Sequence, residues 1–179
     1  PIDIELKESN KSEYILRFDI GKKTIGMQKV MTIKTKVPEH LNVPNSKLIG
    51  IWLKNGIDPY NEGGSVQNNT LSFTSRRMGS FAVMIDTVPP TINAKYIKSG
   101  ATYKSGSMLK FIVSDNLSGI EKYQAKIDGQ WVLLKYDPKK SLLSHTLGNR
   151  TRTGNHIFEI KVTDERKNSS IFTFNFIQL

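Results

Sequence analysis

The chain has 179 residues, no cysteine and a formal net charge of +10. Without cysteine it can form no disulfide and offers no thiolate for zinc or nucleophilic chemistry, and no apolar run approaches the roughly 18 residues that a membrane-spanning helix needs. The charge is uneven: residues 1–87 carry 12 Lys and Arg against 9 Asp and Glu, whereas residues 88–179 carry 14 against 7.

In the first half, apolar side chains alternate with polar ones at period two, the spacing of half-buried strands. EYILRFDIG sets Tyr14, Leu16, Phe18 and Ile20 on one face, and VMTIKTKV opposes Met31, Ile33, Thr35 and Val37 to Val30, Thr32 and Lys34. KLIGIWLKNG, NTLSFTS and SFAVMID follow, parted by loops that include PEHLNVPN and DPYNEGGSVQNN. About six short strands are expected, enough for a small sandwich.

FAVMIDTVPPTI lies near the middle of the chain. A strand ends at Asp86, two prolines that cannot donate a ladder hydrogen bond follow, and a new strand begins at Thr91. This predicts a domain junction, with residues 1–87 and 88–179 as separate β-sandwich domains. The Val-Pro-Pro linker should be short and extended, close to a polyproline rod.

The second half repeats the style without repeating the sequence, so the domains are expected to be alike in architecture and not a true internal repeat. TINAKYI and MLKFIVSD read as strands, then IEKYQAKID and QWVLLKYD joined by Asp128-Gly129, a pair suited to a tight hairpin with positive φ. LLSHTL, HIFEIKVTD and SIFTFNFI complete about seven strands, the number expected of an immunoglobulin-like or fibronectin type III-like sandwich. Trp131, Phe158 and Phe174 are the expected core anchors, although a surface position for Trp131 stays open. Tyr123 and Tyr136 read as strand packing residues.

Candidate sites are sparse. Asp86, Asp115 and Asp164 each end an expected strand, with Asn116 and Asn168 close by, so they are candidates to hold calcium through oxygen ligands. The competing reading is an Asx-turn, in which the short carboxylate accepts backbone N–H groups of the following turn; no EF-hand spacing is present. Tyr60 and Tyr103 are candidate ligand-binding aromatics in or near loops. Gly63-Gly64 lacks the lysine and helix of a phosphate loop, and Ser118-Gly119 reads as turn chemistry. Lysines such as Lys122, Lys126, Lys135, Lys139 and Lys140 are strewn along strands. They form no dense basic block with interleaved aromatics, so nucleic acid is not an expected partner. They fit a solvated surface that protects sheet edges, with contact to an anionic wall polymer as the alternative.

RRMGSFAVMIDTVPPTI, FIVSDNLSGIEKYQAKIDGQWVLLKYD and GNHIFEIKVTDERKN together resemble the C-terminal immunoglobulin-like region of Bacteroidetes-type, lysostaphin-family peptidoglycan metallopeptidases. The resemblance covers about residues 76–179 and only loosely what precedes them. It implies an exported protein of the periplasm or cell surface whose parent carries a zinc peptidase domain. That family holds its zinc with a histidine, an aspartate and a His-x-His pair. The three histidines here, His40, His145 and His156, form no such pair, so no ligand of that centre carries over.

The expected function is therefore that of a non-catalytic accessory region of an envelope protein, without a cofactor of its own. It would position a peptidoglycan metallopeptidase, or a degenerate relative, through contacts with the attached catalytic domain, another envelope protein or the wall. The alternative is an independent carbohydrate-binding or adhesin module. The chain starts at Pro1 with no leader pattern, so a processed or trimmed segment is expected.

Overall fold

A computed structural model describes residues 4–7, 14–22, 27–148 and 151–179, the first of these stretches as backbone only. Among them the regular secondary structure is nearly all strand, with one short 3-10 helix at Asn45–Lys47. It divides into two compact units, Pro1–Thr87 and Val88–Leu179. Each is an immunoglobulin-like or fibronectin type III-like β-sandwich.

The first unit contains β1 (Ile4–Lys7), β2 (Tyr14–Ile20), β3 (Met31–Lys36), β4 (Leu48–Lys54), β5 (Asp58–Gly63), β6 (Ser65–Gln67), β7 (Thr70–Ser75) and β8 (Gly79–Ile85). One sheet has the order β1-β2-β8-β4-β5 and the other β3-β7-β6. Between them lie Phe18, Ile33, Leu48, Leu71, Phe73 and Phe81. Phe18 stacks on Phe81 at 5.9 Å between ring centroids.

Two features depart from the sequence expectation. The stretch expected to be a loop, DPYNEGGSVQNN, contains two edge strands. Pro59 is tolerated because β5 is the outer strand of its sheet. Gly63 and Gly64, at φ 70° and 116°, turn the chain out of one sheet and into the other, which L side chains would resist. A Cβ on Gly64 would also stand 3.0 Å from Phe73 and from the Ser72 carbonyl oxygen. The second departure is β4, expected to bury one face. Leu48, Ile49, Ile51 and Leu53 are all buried, so its near-continuous apolar run is that of a strand covered on both sides.

The second unit contains β9 (Thr91–Lys95), β10 (Ala101–Tyr103), β11 (Met108–Ser114), β12 (Ile120–Ile127), β13 (Gln130–Val132), β14 (Lys135–Asp137), β15 (Leu142–Thr146), β16 (Gly154–Asp164) and β17 (Ser169–Gln178). The sheets run β10-β17-β16-β12-β13 and β14-β15-β11-β9. All pairings are antiparallel except β10 on β17. The core gathers Leu109, Phe111, Val113, Leu143, Phe158 and Phe174 among others, with Phe111 stacked on Phe158 at 5.3 Å.

Asp128-Gly129 makes the expected hairpin, with φ 50° and 79° and Ile127 opposite Gln130. QWVLLKYD, however, is not one strand. β13 pairs in one sheet and β14 in the other, and the chain crosses between them at exposed Leu133 and buried Leu134. Trp131 is not a core anchor: it is 66% exposed, because the hairpin register sets it opposite Lys126 and gives the inward position to Val132, opposite Ala125. Phe158 and Phe174 are in the core, and Tyr123 and Tyr136 pack on it with centroids 5.5 Å apart.

Among the described glycines of the first unit the closest approach is at Gly50, where a Cβ would come within 2.4 Å of the Phe73 ring. Gly50→Ala is expected to lower stability by about 1–3 kcal/mol through overpacking. Denaturant unfolding followed by tryptophan fluorescence would measure this.

Candidate functional site

A broad cleft of about 1120 Å³ opens in the second unit, lined by Ile127, Trp131, Leu133, His145, Leu147 and Arg152 among others. Trp131 and Leu133 are largely exposed beside it. The apolar contribution is thus an indole and an isobutyl group already in water, so a ligand that covers them gains hydrophobic free energy without unfolding anything.

The walls of the cleft are tied by a compact polar network. Asp128 turns the β12–β13 hairpin, and its Oδ1 accepts the Ile157 N–H at 2.8 Å while its own N–H donates to the Ile157 carbonyl at 2.9 Å. Oδ2 lies 2.6 Å from Nδ1 of His156. On the other side of the ring, Nε2 lies 2.6 Å from the Arg152 carbonyl oxygen. Both ring nitrogens face acceptors, so only the doubly protonated imidazolium satisfies both. The hydrogen bond to Asp128 raises the His156 pKa above 6.5, against the opposing effect of burial. Burial pushes the Asp128 carboxyl up, but the hydrogen bonds from His156 and Ile157 and the imidazolium charge prevail and hold it below 3.8. Gln178 adds a second tie, its Nε2 donating to the carbonyls of Gly148 and Thr151.

Asp115 and Asp164 are brought together in the second unit, with a carboxylate oxygen of each within 4.8 Å of the other. Both serve as turn acceptors. Asp115 Oδ2 accepts the N–H groups of Leu117 and Gly119 at 3.0 and 2.8 Å. Asp164, fully buried, accepts the N–H groups of Arg166 and Asn168 on Oδ1 and the Asn168 side-chain amide on Oδ2, each at 2.8 Å. Asp86 is buried at the end of the first unit, its N–H donating to the Lys47 carbonyl at 2.9 Å.

Neither tyrosine candidate lies in a loop. Tyr60 sits on β5 beneath the Arg77 guanidinium at 5.4 Å and edge-on to Trp52 at 5.7 Å. Arg77 also covers Trp52 at 5.0 Å and pairs with Glu62 at 2.5 Å, so this face of the ring is engaged in a cation–π stack. Tyr103 ends β10 and meets Phe176 edge-on at 6.1 Å, packed against the core. His145 places Nδ1 2.9 Å from the Leu133 carbonyl.

Asp128 and His156 were legible only as a turn residue and a strand-flanking imidazole. Their pairing spans 28 positions of sequence and has no local signature. The exposure of Trp131 did have one, since a two-residue hairpin closing on Ile127 and Gln130 fixes the parity of every later residue in the strand.

No protein-family model matches the sequence, and no curated protein matches it. Several solved structures align with parts or all of the chain at low identity. The endo-β-1,4-mannanase of Thermotoga petrophila aligns at 15% identity and TM-score 0.45, over 52% of this chain and 20% of its own. Fibronectin(III)-like modules of Clostridium thermocellum CbhA align at 14% identity and TM-score 0.42, over 85% of this chain and 87% of theirs. Dimeric latent PorU of Porphyromonas gingivalis aligns at 12% identity and TM-score 0.44, over 99% of this chain and 24% of its own. The chain thus spans about a fifth of the mannanase and a quarter of PorU.

Two outcomes are expected. His156, its pKa raised, contributes stability that is complete below about pH 6.5 and lost as pH climbs through its folded-state value. Asp128, its pKa lowered, contributes stability present above about pH 4 and lost as pH falls through its folded-state value. Asp128→Asn should therefore cost most near pH 5–6 and less at pH 9, and the His156 NMR titration should move to lower pH; equal costs at both pH values would contradict the ion pair. Separately, Asp164→Ala strands the N–H groups of Arg166 and Asn168 and should cost about 3 kcal/mol in chemical unfolding.

Proposed function

We propose that this chain is a non-catalytic binding and accessory region of an exported envelope protein, and that its contact surface is the Trp131 cleft. The observation that carries this reading is an indole held in solvent at the side of a cleft whose walls are cross-tied. Such a surface is pre-organised, so a ligand meets little ordering cost on binding. A non-catalytic role is supported by the occupancy of the imidazole of His156: Asp128 and the Arg152 carbonyl engage both its nitrogens, leaving neither ready to exchange a proton with a substrate.

The resemblance of residues 76–179 to the region that accompanies peptidoglycan metallopeptidases supports a finer reading. The cleft would then hold wall material, or a partner envelope protein, while an attached peptidase domain works beside it. Residues of this chain take no part in that chemistry, and no zinc step runs through them. Proteins of this type act in the periplasm or at the cell surface, and both locations suit a cysteine-free chain. Among the described residues no helix is long and apolar enough to cross a membrane.

The second reading, an independent carbohydrate-binding or adhesin module, is favoured by the same indole, because exposed aromatic rings stack on the apolar faces of sugars. Co-sedimentation of the purified chain with isolated peptidoglycan, alongside a panel of neutral oligosaccharides, separates the two. Trp131→Ala should weaken binding to wall material at least tenfold, as expected for a central aromatic anchor. Tyr103→Phe should leave it unchanged. Retention of full binding by Trp131→Ala would remove the cleft from consideration, and binding only to a defined soluble oligosaccharide would favour the independent module.

A further inference from the structure

The outward face of the sheet β14-β15-β11-β9 carries a row of lysines. Ladder register places Lys95 directly opposite Lys110, Lys110 opposite Ser144, and Ser144 opposite Lys135. The row therefore crosses all four strands in the order Lys135, Ser144, Lys110, Lys95. At a strand spacing of about 4.8 Å the cations fall near 0, 10 and 15 Å along a line. All three lysines are exposed, and among the described residues none makes an ion pair.

Like charges directly opposite on a sheet are destabilising. The Lys95 and Lys110 pair is thus an unfavourable element; Lys95 and Lys135 stand on the two outer strands of the sheet, where a lysine also blocks an edge, but Lys110 lies on the inner strand β11, where it has no such use. Among the described residues, the only carboxylate on the outward positions of these strands is Asp137, on the outer strand β14, where it is 3.8 Å from Lys140 and accepts the Lys139 N–H. Around the row stand hydroxyl, amide and aliphatic groups, from Thr91, Asn93, Ser144, Thr146, Ile112 and Met108.

We infer that this face binds a linear anionic polysaccharide, its carboxylate or phosphate substituents meeting the lysine row while sugar hydroxyls meet Ser144 and its neighbours. Charge complementarity selects a polyanion. Among the described residues no aromatic ring stands on the outward positions of these four strands, exposed Tyr96 lying just past the end of β9, which disfavours single-stranded nucleic acid, since that relies on successive base stacking. The surface lies on the sheet opposite the one that carries Trp131. It rests on the envelope reading only for where such a polymer would be encountered.

The test uses the full chain with polygalacturonate and phosphomannan as probes, neutral dextran as blank, and a 20-base-pair DNA duplex as the competing polyanion. Affinity for at least one charged glycan should fall steeply with salt. Lys95→Glu should weaken it about tenfold while raising the unfolding midpoint, since a glutamate opposite Lys110 replaces repulsion with attraction. Lys122→Glu, the same charge change on the outward face of the other sheet, should alter it less than twofold, and Trp131→Ala should not alter it. The inference is overturned if neither charged glycan binds at low salt, if the duplex binds more tightly than both, if Lys122→Glu weakens binding as much as Lys95→Glu, or if Lys95→Glu lowers the midpoint. Loss of peptidoglycan binding in Trp131→Ala with charged-glycan binding intact separates this site from the cleft. Charged-glycan binding that survives while the chain ignores isolated wall would defeat the envelope reading alone.

Discussion

In the second unit Phe111 and Phe158 stack across the gap between two sheets, and that contact sets which residues of their strands face outward. Once those two rings point inward, period-two geometry dictates which neighbours point out. Lys110 and Ile112 flank Phe111 on the outer side of one sheet, and Ile157 and Glu159 flank Phe158 on the outer side of the other. The lysine row and the exposed indole are the outward halves of strands whose inward halves make the core. A one-residue slip in β11 would bury Lys110 and expose Phe111, so the chemistry of the surface is locked to the packing beneath it.

The first unit obeys the same rule with a different local solution. Its smaller sheet leans so closely on β4 that the Phe73 ring occupies the space where Gly50 would otherwise carry a side chain. The corner at Gly63 and Gly64 lets one short segment serve both sheets. Aromatic and charged side chains of this unit interlock beside that core, with Arg77 lying over Tyr60 and over Trp52, which packs against the core, and paired with Glu62. Such a stack is self-contained, in contrast to the open indole of the second unit.

Alternation made the all-β character legible, together with most strands and the Asp128-Gly129 hairpin, because these are local properties of backbone pleat and turn stereochemistry. Short edge strands escaped. β5 and β6 have turn-like composition, rich in Asp, Pro, Asn and Gly, and β10 has only three residues paired with a strand more than 70 positions away. The crossing at Leu133 and Leu134 was hidden because two adjacent leucines give no hint of which one turns inward. The candidate sites divide similarly: the turn-acceptor roles of Asp115 and Asp164 follow from nearby sequence, whereas the clamp between Asp128 and His156 is purely tertiary.

Gln178 gives β17 a second task. As the last residue of β17 it donates its side-chain amide to the carbonyls of Gly148 and Thr151. The same strand carries Phe174 and Phe176 into the core, so one element both fills the sandwich and fixes two carbonyls at the rim of the cleft.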